Sequence, residues 1–166
     1  MRAIRLIGRF WAASVQELLA YRANFWISVL HSILNLGTGV LGVRVVFGQA
    51  EAIRGWTLDS ALALLGVYLT LSALRGLFIG PSLEALAGMD GELWTGTFDF
   101  TLLRPVDAQF LASVRNWRPF ALVDLVLGLG VLAVAVARLG QALSPLNLAA
   151  FVLALAAGVT ILYALL

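Results

Sequence analysis

Hydrophobic and polar positions along the chain resolve into four long apolar runs separated by shorter polar stretches. The first, Phe25 to Phe47, carries His31, Asn35 and Arg44 as its most strongly polar members. Leu58 to Ile79 forms the second; Thr57, Asp59 and Ser60 stand in capping positions at its start, and Arg75 with the Gly80-Pro81 breaker closes it. Phe120 to Ala137 is the third and shortest, and Leu146 to Leu166, after Ser144-Pro145, is the fourth. A helix rises about 1.5 Å per residue and needs about 20 apolar residues to cross a bilayer, so each run predicts a membrane span. A barrel would show short strands of alternating polarity instead. In lipid, backbone donors and acceptors must be satisfied within their own segment, which continuous runs achieve only as helices.

Ahead of the first run the pattern changes. Ile4, Ile7, Trp11, Val15, Leu18 and Leu19 share one helical face, with Arg2, Arg5, Arg9 and Gln16 largely elsewhere, as in a helix lying along a membrane surface. Arg9 and Glu17 interrupt the apolar stretch and no small-residue cleavage site follows, so a signal peptide does not fit. Glu17 and Arg22 are spaced less favourably for a helical ion pair than residues four apart. The expected architecture is all-α: a polytopic membrane bundle with an interfacial helix over 1–22 and a transmembrane region over 23–166. Its spans fall at about 25–47, 58–79, 120–137 and 146–166, with a polar loop over 80–119.

Composition agrees: 61% of residues are hydrophobic, 12% are charged and the mean hydropathy is +0.97, leaving too few polar groups to clothe a soluble domain. Lysine is absent, so orientation rests on arginine. Arg2, Arg5, Arg9, Arg22, Arg75, Arg104, Arg115 and Arg118 fall on one side, against Arg44, Arg54 and Arg138 on the other. The excess predicts a cytoplasmic N-terminus and a cytoplasmic 80–119 loop in a plasma or inner cell membrane. Arg44 lies one turn from the outer end of its span, where it either snorkels to the interface or meets a substrate.

Candidate chemistry is sparse. Without cysteine there is no disulfide, thiolate metal site or thiol nucleophile. No metal site or cofactor is expected in this chain, nor a nucleic-acid partner. Gly-x-Ser-x-Gly, His-Glu-x-x-His and the phosphate-cradling Gly-x-x-x-x-Gly-Lys-Ser/Thr are missing, so neither hydrolase chemistry nor nucleotide binding is expected here. His31 either hydrogen-bonds a neighbouring helix or Asn35 one turn away, or acts as a relay or ligand. Asp124, about one turn into the third span, either pairs with Arg115 or Arg118 or couples an ion.

The loop is the specific part. Pro81-Ser82 starts a short helix through Glu84 and Leu86 that Gly88 ends, and Asp90-Gly91 then turns. Pro105 forces its predecessor toward extended backbone, and Asp107 caps a further helix through Phe110, Leu111 and Val114. Trp94, Phe98, Phe100, Leu102 and Leu103 need cover from the bilayer surface, the chain's own spans or a partner groove.

Glu92, then Gly96-Thr97-Phe98-Asp99, then Leu102-Leu103-Arg104-Pro105-Val106-Asp107 resembles the acidic-x-Gly-Thr-Leu-acidic-x-x-Leu-Leu-x-Pro-Val pattern of type-2 ATP-binding-cassette exporter permeases. Tyr21-Arg22-Ala23-Asn24-Phe25, Phe47-Gly48-Gln49 and Gly55-Trp56-Thr57 are similar to the same branch, so the resemblance runs over nearly the whole chain. It implies a transport subunit with no ATPase site of its own, which dimerises with a second permease protomer, identical or not, amid membrane lipid. Each protomer sits on a separate ABC ATPase that binds ATP and Mg. The cargo implied is an apolar or amphipathic compound. Residue by residue, Glu92, Gly96, Thr97, Asp99, Arg104 and Pro105 occupy the motif: Gly96 and Pro105 shape the loop, and the charged members contact the ATPase or inner gate, or form exposed salt bridges.

Phe98 and Thr95 depart from the pattern. The family has six spans where four are legible here, and the run reaching Leu166 predicts a C-terminally truncated sequence. Gly37, Gly39 and Gly42 offer close helix approach in the first span, or flexibility facing lipid. His31, Asn35 and Asp124 are candidate pathway or interhelical residues. Two other functions stay open, a self-contained ion-coupled transporter and a non-transporting membrane assembly subunit.

Overall fold

The computed structural model describes residues 2–49, 52–140 and 144–164; Leu165 and Leu166 of the fourth run, and the side chains of Arg2, Ala3, Ile4, Arg22 and Phe78, lie outside that description. Helix α1 (Arg2–Ala20) leads into α2 (Arg22–Val46), and a two-stranded hairpin, β1 (Ala52–Ile53) and β2 (Trp56–Thr57), precedes α3 (Leu58–Leu74). A π-helical turn, Arg75–Ile79, joins α3 to α4 (Gly80–Ala87). Three short helices follow, α5 (Glu92–Thr95), α6 (Phe98–Leu102) and α7 (Ala108–Val114), before α8 (Ala121–Arg138) and α9 (Pro145–Ala164). Among the described residues, four stretches are long and apolar enough to cross a bilayer: Ala23–Val46, Leu58–Leu77, Ala121–Arg138 and Pro145–Ala164. The protein is thus an all-α polytopic membrane protein, with one hairpin the sequence reading did not foresee. There Ala52 pairs with Thr57 and Ile53 with Trp56 across Arg54 and Gly55, both at positive φ as a tight two-residue turn requires.

The core is the α3–α8 contact. Leu62, Gly66, Thr70 and Ala73 form a buried line along α3, and Ala121, Gly128 and Ala135 a buried line along α8. Lipid tails are as apolar as leucine, so helices in a bilayer associate through close packing, for which small residues are needed. A Cβ on Gly66 would lie 2.7 Å from Leu132 N and 2.8 Å from its Cα, and one on Gly128 would lie 2.9 Å from Thr70 N. The Thr70 hydroxyl, buried in this seam, donates to the Gly66 carbonyl at 2.8 Å, so burial leaves it satisfied. Asp59 and Arg138 come within 4.0 Å where α3 begins and α8 ends. In α2, by contrast, Gly37 and Gly42 face open space and Gly39 meets only the Leu65 side chain. Close approach therefore belongs to the second and third spans rather than to the glycines of the first.

Gly80-Pro81 does not break the second span's helix. Proline at 81 cannot donate to the Leu77 carbonyl one turn back, and its ring crowds that position. The π-helical turn widens the backbone there, and the freed Leu77 carbonyl accepts the Arg118 N–H at 2.8 Å. The chain runs on into α4, and the site of proline's defect becomes a tether between α3 and the start of α8. Thr57 caps α3 as its sequence position predicts, accepting from Ser60 N at 3.3 Å.

Candidate functional site

The segment between α3 and α8 folds on itself. Ser82, fully buried on α4, donates to the Ser113 carbonyl at 3.0 Å and approaches that of Asn116 at 3.4 Å, so α4 is stitched to the last turn of α7. Glu92 opens α5 and turns inward: one oxygen pairs with the Arg115 guanidinium and the other accepts from Thr101 Oγ1 at 3.0 Å. Thr101 is 3% exposed, so this carboxylate satisfies a hydroxyl that water hardly reaches. Arg118 meets Glu84 at 3.2 Å on the exposed side, where such a pair contributes little. Trp117 donates from Nε1 to the Val114 carbonyl at 2.7 Å and meets Trp11 edge to face at 5.4 Å, which ties α1 to the same segment.

This folding separates the motif residues. Gly96 ends α5 in the left-handed region at φ 70, a position where any Cβ is strained, and the Thr97 hydroxyl lies 2.8 Å from that of Thr95. Asp99, Arg104 and Pro105 are exposed and Glu92 is not, so Glu92 is held inside the loop while the other charged members remain on its surface. In the same loop, Met89, Trp94, Phe100 and Leu103 expose 95%, 77%, 68% and 81% of their surfaces. Side chains so exposed need cover from lipid or from a partner. Sequence reasoning offered Arg115 as a partner for Asp124 and Ser82 as a helix start, and gave Thr101 no role, because the partners these side chains meet are remote along the chain; Glu92 and Arg115 are 23 positions apart.

Asp107 accepts from Phe110 N at 2.7 Å and caps α7, the role its sequence position predicts. Asp107→Ala is expected to cost about 1 kcal/mol, read as a lowered melting temperature in detergent, and Asp107→Ser to restore most of it. Equal losses in the two variants would show that the cap is not what holds this turn.

Among the three polar candidates within the spans, Asn35 and Asp124 come together with Ser32 and Ser72 around one small cavity. His31 does not join them: it is exposed, and among the described residues no hydrogen bond links it to Asn35. Nor does Asp124 pair with Arg115 or Arg118, because Glu92 and Glu84 hold those guanidinium groups.

In comparisons with known proteins, the family described as ABC-2 family transporter protein matches residues 33–166. No curated protein and no solved structure matches the chain.

Proposed function

Because the chain belongs to the ABC-2 transporter family, and is therefore an ABC permease subunit, we propose that it is the membrane half of an ATP-driven exporter whose 80–119 loop couples to a separate ATPase. In this reading the cargo is an apolar or amphipathic compound and a second permease protomer completes the path. The arginine excess supports a cytoplasmic N-terminus and loop in a cell membrane. ATP and Mg belong to the partner.

The observation that carries the reading is the exposure of Met89, Trp94, Phe100 and Leu103 in the same loop as the exposed Asp99 and Arg104, a loop whose interior is fixed by Glu92, Thr101 and Arg115. A rigid support under an apolar surface suits docking into a partner groove, because little ordering entropy is lost on binding. Movement of that surface has a path into the membrane. Ser82 ties α4 to α7 within the loop, and Arg118 N, just ahead of α8, holds the Leu77 carbonyl at the end of the second span, so the two ends of the loop are joined where it meets the membrane. Helices α3 and α8 share the close glycine seam and would move as one body against the more loosely packed α2.

The test is copurification and coupled ATP hydrolysis with the ATPase. Leu103→Asp is expected to weaken association at least about tenfold, as loss of a central apolar anchor does, while the melting temperature stays unchanged. Asp99→Ala is expected to lower association less. Full association and normal hydrolysis with Leu103→Asp would place the docking surface elsewhere.

A further inference from the structure

Ser32 and Asn35 from α2, Ser72 from α3 and Asp124 from α8 line a cavity of about 90 Å³ whose other walls are leucine and alanine. Asp124 is the sole acidic or basic side chain among these, and it lies within a membrane-crossing helix. Asp124 lies in the first turn of α8 with apolar walls beside it, a setting in which a carboxylate favours a cationic partner. Among the described residues no arginine forms an ion pair with Asp124; Arg115 is held by Glu92, Arg118 by Glu84 and Arg138 lies against Asp59. The Ser32 hydroxyl donates to the Ser28 carbonyl at 3.0 Å, which directs its proton away and leaves its oxygen free to accept. The Asn35 amide oxygen and the Ser72 hydroxyl supply further acceptors. A divalent metal asks for about six or more oxygen ligands, more than one carboxylate, one amide and two hydroxyls readily provide. An ammonium has three donors and needs three acceptors. About three water-sized volumes fit the space, enough for such a headgroup.

We propose that this cavity seats a monovalent cation, the protonated amine of an amphipathic cargo, with Asp124 as its counter-charge. The inference rests on the exporter reading and narrows its cargo to compounds carrying an amine. Asp124 acts through direct contact with the bound headgroup, and Asn35 and Ser72 orient its remaining N–H groups.

The experiment uses the full chain with its ATPase in nanodiscs of zwitterionic lipid and counts bound dodecylammonium, dodecanol and dodecyl sulfate by native mass spectrometry. Dodecylammonium is expected to bind at least about tenfold more tightly than dodecanol, the scale of a hydrogen-bonded charge contact. Asp124→Asn should erase that preference, and Asp124→Glu should keep part of it. Equal binding of all three probes to the unaltered chain would overturn the proposal, as would a preference that survives Asp124→Asn. Saturable sodium binding that Asp124→Asn removes, without amine preference, would assign the cavity to an alkali ion and overturn the cargo assignment. Should Asp124→Asn fail to fold, Ser72→Ala with the same probes carries the test, and is expected to weaken dodecylammonium alone. Loss of ATPase copurification would count against the exporter reading only, because the probe binding is read on the permease itself.

Discussion

Gly66→Ala is expected to destabilise the protein by about 2 kcal/mol or more, against the usual direction for such a change in a helix. Alanine ordinarily favours a helix over glycine by about 1 kcal/mol. Here the added methyl would lie 2.7 Å from Leu132 N and 2.8 Å from its Cα, and these backbone atoms cannot rotate aside as a side-chain tip can. The α3–α8 seam must open along its length to admit it. Gly128→Ala meets the same obstacle from the other helix, 2.9 Å from Thr70 N. Gly130→Ala, two residues on, has open space around it and is expected to be neutral or to stabilise by up to about 1 kcal/mol. Thermal melts in one detergent, followed by size-exclusion chromatography, compare the three. Indistinguishable melting of Gly66→Ala and Gly130→Ala would mean the seam is not packed as described.

Glu92→Ala ranks next. It leaves the Arg115 guanidinium, 32% exposed, and the buried Thr101 hydroxyl without their shared acceptor. Hydrogen bonds to charged groups contribute about 1.5–3 kcal/mol each; with this pair partly solvated, about 2 kcal/mol in total is a fair expectation. The loss is local, so limited proteolysis across residues 92–107 should accelerate while α3 and α8 melt nearly as before. If the loop couples to an ATPase, stimulated ATP hydrolysis should fall with it. Asp99→Ala, on the exposed side, should leave the proteolysis pattern unchanged. Because Glu92 and Arg115 are one unit, Glu92→Ala and Arg115→Ala together should cost less than the sum of the two. Strict additivity would show that the two side chains do not act as a pair.

The contrast between these positions explains what could be read in advance. Thr57 and Asp107 were legible as caps because each meets a backbone N–H three residues on, within the reach of a local pattern. Glu92 stood out through its motif, yet a motif gives no direction, and only the structure shows this side chain turned to Arg115 within the loop. Pro81 misled for a related reason. The rule that proline ends a helix counts only that helix's own hydrogen bonds, whereas the Leu77 carbonyl finds its donor at Arg118, beyond the whole loop. Glycines in α2 attracted notice by their spacing, but only packing shows that Gly66 and Gly128 are the ones pressed against a backbone.

By itself the sequence determined the all-α membrane class and four spans, because span formation depends on the apolarity of one continuous segment and on no other part of the chain. Tertiary structure alone decided which helices touch, which motif side chain turns inward, and that Ser32, Asn35, Ser72 and Asp124 share one cavity. Those outcomes depend on helix rotation and depth, set by steric fit and hydrogen bonding between residues far apart in sequence, which periodicity along a single helix does not encode.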